Sequence, residues 1–180
     1  YESEDVGPNE PFINRAYTRL RPTFEEQFGG ERTTAVRWSM YGGMYKQLTS
    51  IHYKLFLFIH NLVPTDAFTQ LGHKGGYNYS KLVFDHCFKS YKDFIYNVTL
   101  DGSMLVYLNL YLSKKETPDE NYAREVQELF TVGKRPFAKF TEKDVREVAR
   151  ALVGWRHDYD KIVYEEGHEN IPRFEPWNHD

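Results

Sequence analysis

Residues 117–133 read TPDENYAREVQELFTVG, and Asp119, Glu120, Asn121, Arg124 and Glu125 all fall near the start of that stretch. Carboxylates this close together can bind a hard cation or share general acid–base work, with Glu120 and Glu125 as the candidate catalytic pair. The same residues also suit a helix start. Thr117 or Asp119 can cap it, Pro118 fits its first turn, and the acids lie near the positive end of the helix dipole. Glu120, Arg124 and Glu128 follow one another at i, i+4, the spacing of an ion-pair ladder on one face. Arginine beside a carboxylate lowers its pKa and makes it a poor general base. The favoured expectation is therefore a buried folding clamp of Asp119, Asn121, Arg124 and Glu128, locking the loop from residue 113 to the helix that follows. Arg124→Ala would then cost much stability.

The seven histidines are His52, His60, His73, His86, His157, His168 and His179. No two stand at i, i+4, and no HExxH zinc motif occurs. His60, His179 and Asp180 are the candidate metal ligands, should the pairs His60-Asn61, His157-Asp158 and His179-Asp180 meet in space. Taken singly, each histidine reads as a polar core or surface residue, so no metal and no cofactor is expected. GHKGG at residues 72–76 lacks the spacing and the Lys-Ser/Thr pair of a phosphate loop, and no GxSxG elbow is present. The single cysteine, Cys87, lies in an apolar-periodic stretch and reads as an inert buried thiol.

These residues need a scaffold, and 180 residues suffice for one domain with a real core. The net charge of −3 supplies no basic field, so no nucleic-acid partner is expected. Arg146, Arg150 and Arg156, with Lys134, Arg135, Lys139 and Lys143 nearby, read as a solvated basic face. Fourteen Tyr and thirteen Phe are too many for a disordered chain. They suit an aromatic core and, less strongly, a tyrosine-lined contact surface. No membrane span or signal peptide is visible.

The fold expectation is mainly α: an orthogonal or irregular bundle of about five to six helices. Residues 1–30, rich in Pro and Gly, form an extended arm. Residues 31–156 form the helical core domain, and 157–180 an irregular tail with a short strand pair around Ile162, Val163 and Tyr164. Within the core, Ile51, Leu55, Phe58 and Leu62 recur as one helix face, widened by Phe56 and Ile59, with Ser50 as cap and Pro64 as stop. Residues 65–78 read as a glycine loop. Phe84, Phe88, Tyr91, Ile95 and Val98 then mark one long amphipathic helix, broken at Asp101 and Gly102. SMLVYLNLYL forms a shorter buried helix. Tyr122, Val126, Leu129 and Phe130 give the buried face of the helix that stops at Gly133. Thr141 and Asp144 make a capping box for the last helix, which ends at Gly154.

Two of these blocks, PDENYAREVQELFTVG and FTEKDVREVARALVGW, resemble the domain of unknown function (DUF) 1800 family. Members of that family typically carry Pro-Asn-Glu-Asn-aromatic-Ala-Arg-Glu, a Thr-Leu-Gly stop, and then a helix ending in Gly-Trp. TLDGSMLVYLN, FIHNLVPT and the final NHD are similar to further family segments in the same order, across residues 45–180. The chain departs from the pattern at Asp119, where the family has Asn, and over residues 59–63, where a Trp-His-Asn-His-Phe helix end keeps only His60 and Asn61. The resemblance implies a mainly helical bacterial protein, exported to the periplasm or cell envelope, and brings no reaction with it. The chain opens on Tyr1 without Met and looks shorter than a full family domain, so a truncated member or a piece of a larger protein is expected. The expected function is a structural or accessory subunit, contacting other protein chains through residues 1–30 and 157–180. The reading leans away from an enzyme; the alternative is a metal-assisted hydrolase or other enzyme of unknown reaction.

Overall fold

The computed structural model describes residues 37, 41–42, 49–134, 136, 138–157 and 173–176, with the His73 side chain left aside. The fold is mainly α. Its helices are α1 (Ile51–Leu62), α2 (Ala67–Gln70), α3 (Gly72–His86), α4 (Tyr91–Thr99), α5 (Gly102–Tyr107), α6 (Asn121–Glu125) and α7 (Glu142–Ala151). A 3-10 turn, Leu110–Leu112, follows α5, and α6 runs directly into a π-helical segment, Val126–Thr131. Two short strands, β1 (Trp155–Arg156) and β2 (Arg173–Phe174), pair antiparallel with Trp155 opposite Phe174. The arm at residues 1–30, most of the tail, and the expected strand pair around Ile162, Val163 and Tyr164 lie outside the described residues.

Seven helices are bounded among the described residues, rather than five to six, for two reasons. The first is residues 65–78, expected as a loop and found as α2 and the start of α3. The glycines there serve close packing. A Cβ on Gly75 would stand 2.3 Å from the Leu71 Cβ, and one on Gly76 would stand 2.3 Å from the Phe68 ring. Only hydrogen fits at either position, so α2 lies almost in contact with the α3 backbone. The second is the expected long helix, which breaks after His86 and restarts at Tyr91. Ser90 takes extended backbone angles, and its hydroxyl caps the Asp93 N–H. The break turns Phe88 out to solvent, and Tyr91 is also exposed.

The continuous core joins α1 to α6. Phe56, Val63, Tyr79, Val83, Phe94, Val98, Met104 and Leu105 are among its most buried members. Each such side chain contributes about 1.5–3 kcal/mol of transfer free energy. A smaller cluster of Ala123, Val145 and Ala149 joins α6 to α7, where the Thr141–Asp144 capping box forms as expected.

Three helix faces differ from their sequence patterns. In α1 the side bearing Tyr53 and Phe56 is buried, while Ile51 and Phe58 are 62% and 65% exposed. Helix α1 has two apolar stripes, and the one through Tyr53 and Phe56 packs inward. His52 stacks on Phe84 at 3.8 Å and its Nε2 lies 2.8 Å from the Phe84 carbonyl. Ser50 occupies the cap position of α1, but its side chain makes no capping bond. In SMLVYLNLYL, Asn109 takes φ +62° and splits the segment into α5 and the 3-10 turn. Asn is among the few residues that adopt this left-handed conformation readily. In the π-helical segment, hydrogen bonds such as Val132 N–H to the Gln127 carbonyl insert one residue per turn. That rotates Leu129 out of the buried face to 48% exposure, while Phe130 stays in. Gly133 closes the segment at φ +92°.

Candidate functional site

The acidic helix start is anchored through its backbone. The Asp119 N–H donates to Ser113 Oγ at 3.0 Å, and Asp119 Oδ1 accepts from the Asn121 N–H at 2.8 Å. Thr117 pairs back to Lys114 instead of capping, which closes the loop before the helix. Asp119 thus ties the loop at residue 113 to the first turn of α6.

Arg124 lies on the outer side of this helix. It reaches Glu120 at 3.1 Å and Glu128 at 3.9 Å, completing the i, i+4 ladder. Its best partner is Glu142 in the first turn of α7, held in a fork by bonds of 3.1 and 2.9 Å. Glu142 was not legible as a partner. It stands 18 residues away in sequence, where no helical spacing applies. The hydrogen bond to Glu142 is the leading cause that raises the Arg124 pKa further above its usual value. Arg124 is not buried, however. Its side chain is one-third exposed and that of Glu142 is 64% exposed. Water and salt screen this group, so the strong stability cost expected for Arg124→Ala does not apply. Glu125, next in sequence, has one carboxylate oxygen, Oε2, buried without a hydrogen-bond partner.

Below the ladder, the neighbouring phenols hold α6 in place. The Tyr122 and Thr99 hydroxyls meet at 2.7 Å, and the Tyr91 hydroxyl donates to the Phe130 carbonyl at 2.6 Å. Burial raises the pKa of both phenols, so they remain neutral hydrogen-bonding groups.

His60, in the last turn of α1, belongs to a different site. Its ring meets Tyr79 edge-on at 5.8 Å and tilts against Phe56 at 5.4 Å. Burial lowers its pKa below the usual histidine value, which favours the neutral imidazole. His60 opens on a cavity of about 220 Å³ lined by Arg37, Tyr41, Asp66, Phe68 and Tyr79 among others. Neither Glu120 nor Glu125 lines it. His179 and Asp180 lie outside the described residues. Among the described residues, no group of three or more His, Cys, Asp or Glu side chains is placed to hold a metal ion.

Two further residues resolve plainly. Cys87 donates to the Val83 carbonyl at 3.2 Å, and burial pushes its thiol up to about 11, so at neutral pH it is not a thiolate nucleophile. Arg156 does not lie on a solvated basic face. It pairs with Glu175 at 3.4 Å and donates to the Tyr111 carbonyl at 2.5 Å, fastening the strand pair to the 3-10 turn. No described helix is long and apolar enough to cross a membrane.

The chain belongs to the DUF1800 family, described as a protein of unknown function, whose model matches residues 9–180. No curated protein and no solved structure matches it.

Proposed function

We propose that this DUF1800 member is a non-catalytic interaction domain, an accessory subunit that docks on another protein chain through the outer face of α1. We place it in an exported or envelope-associated assembly, a setting that rests on the family resemblance alone. One observation carries the docking reading: Ile51, Phe58 and Leu62 are all exposed, at 62%, 65% and 40%. Their i, i+7, i+11 spacing puts them on one side of the helix, along roughly 17 Å of its length. Exposed Phe88 extends the patch, since its ring lies 5.0 Å from that of His52. Such a row matches the anchors that an amphipathic helix lays into a hydrophobic groove, so the partner is a protein with an apolar groove of that length. Covering the row would recover about 25 cal/mol for each Å² of apolar surface.

The test is a photo-crosslinking phenylalanine analogue at position 58 of the full chain, expressed in its source cells, with a control probe at exposed Glu147 on α7. A discrete adduct from position 58 and none from 147 is the expected result. A bare 21.4 kDa band from both positions, with a monomer mass in solution, would sink the proposal.

A further inference from the structure

We propose that the cavity beside His60 is a binding site for a small free α-amino acid, held by both its charged groups. This site is independent of the outer face of α1. The cavity combines opposite charges with an apolar interior. Arg37 and Asp66 are the exposed members of its lining, while Ala67, Phe68, Gly76 and Tyr79 are buried. The charges therefore stand at the rim and the apolar surface forms the floor.

Several polar atoms in the lining are already committed. The Tyr79 hydroxyl donates to the Val63 carbonyl, the Ser80 hydroxyl to the Gly76 carbonyl, and Thr65 Oγ1 accepts from the Ala67 N–H. The rim groups are placed differently. Arg37 lies over the Phe68 ring, 5.0 Å from its centroid, a contact that fixes the guanidinium without using its N–H donors. Asp66 precedes α2, yet its carboxylate makes no capping bond. A guanidinium favours a carboxylate, and the Asp66 carboxylate favours an ammonium group. A ligand carrying both at one end and an apolar group at the other matches this arrangement.

Size narrows the class. A cavity of about 220 Å³ is smaller than the ~300–1,000 Å³ of drug-sized sites. On this measure one water needs only roughly 10–15 Å³, so the cavity has room for a small organic molecule. That suits a small amino acid such as alanine, valine or leucine. The side chain would enter between Phe68 and Tyr79, leaving the charged end between Arg37 and Asp66, with the His60 ring beside it.

Titration calorimetry on the full chain tests this with three probes: L-leucine, N-acetyl-L-leucine, which lacks the ammonium, and L-leucinamide, which lacks the carboxylate. L-leucine is expected to bind in the millimolar range or tighter, and each blocked analogue about tenfold or more weakly. Arg37→Gln and Asp66→Asn should each cause a similar loss while leaving the far-ultraviolet circular dichroism unchanged. The comparison of analogues on the unaltered protein stands even if a variant fails to fold. Equal binding of all three probes, or no binding of L-leucine, L-valine or L-alanine at about 10 mM, overturns the proposal.

Discussion

Two junctions of this molecule make a useful contrast. At α2–α3, Phe68 and Leu71 press against Gly75 and Gly76 with no room for a methyl group. At α6–α7, Arg124 bridges Glu120 and Glu142 at the surface, with Glu128 just beyond. The first junction contains no ion pair in its tight contact, and the second is dense in charge. Close-packed atoms have nowhere to relax, whereas exposed charges exchange protein partners for water at little cost. The density of polar residues along a sequence is therefore a poor guide to where stability resides.

The sharpest way to break this contrast is Gly75→Ala. Its Cβ would meet the Leu71 Cβ at 2.3 Å, an atom fixed to its own backbone. Overpacking of this kind costs about 1–3 kcal/mol and here should reach the upper end, despite the helix propensity gained from Ala. Gly42→Ala is the control: nothing lies within 4 Å of its added Cβ, and the residue is helical. It should stabilise by about 0.5–1 kcal/mol. Urea unfolding of the two variants should give opposite signs; matching signs would remove the packing argument.

Next in size is a pH effect at the back of the same junction. Asp101 is buried and caps α5 by accepting from the Ser103 and Met104 N–H groups, while the Ser103 hydroxyl reaches the Gly75 carbonyl at 3.3 Å. Burial raises the Asp101 pKa from 3.8 to about 6, and the hydrogen bonds it accepts offset only part of that rise. A raised folded-state pKa means that this contribution is fully present below about pH 3.8 and is lost as pH rises through about 6. The shift corresponds to roughly 3 kcal/mol. Asp101→Asn keeps a capping oxygen and removes the charge. Unfolding free energies at pH 4, 5.5 and 7.5 should show the variant gaining on the natural protein as pH rises. Parallel curves would mean that Asp101 is solvated.

The smallest effect belongs to the second junction. Arg124→Ala should lower the melting temperature only slightly, and the difference should shrink further in high salt as the exposed carboxylates are screened. A large, salt-independent loss would return the group to the status of a buried clamp.

Much of the architecture was legible residue by residue. The capping box at Thr141 and Asp144, the break at Asp101, the stop at Gly133 and the membership of Tyr122 and Phe130 in the core depend on neighbours within a few positions. Local geometry is enough to dictate such features. The errors have a common source. Gly75 and Gly76 can serve a loop or a close helix contact, and composition does not separate the two. In α1 both apolar stripes have helical spacing, so periodicity could not choose the buried one.

The candidate sites divide in the same way. The i, i+4 ladder through Arg124 follows from helix geometry, but its fork to Glu142 joins positions far apart in the chain. The cavity was harder still, since it gathers Arg37, His60, Asp66 and Tyr79 from separate segments. The sequence by itself determined a helical protein of the DUF1800 family, several of its caps and stops, and part of its core, because short-range geometry and burial of apolar surface act on neighbouring positions. Only the tertiary structure decided which face of α1 meets solvent, which carboxylate grips Arg124, and which groups surround His60, because those outcomes depend on long-range packing that no spacing along the chain encodes.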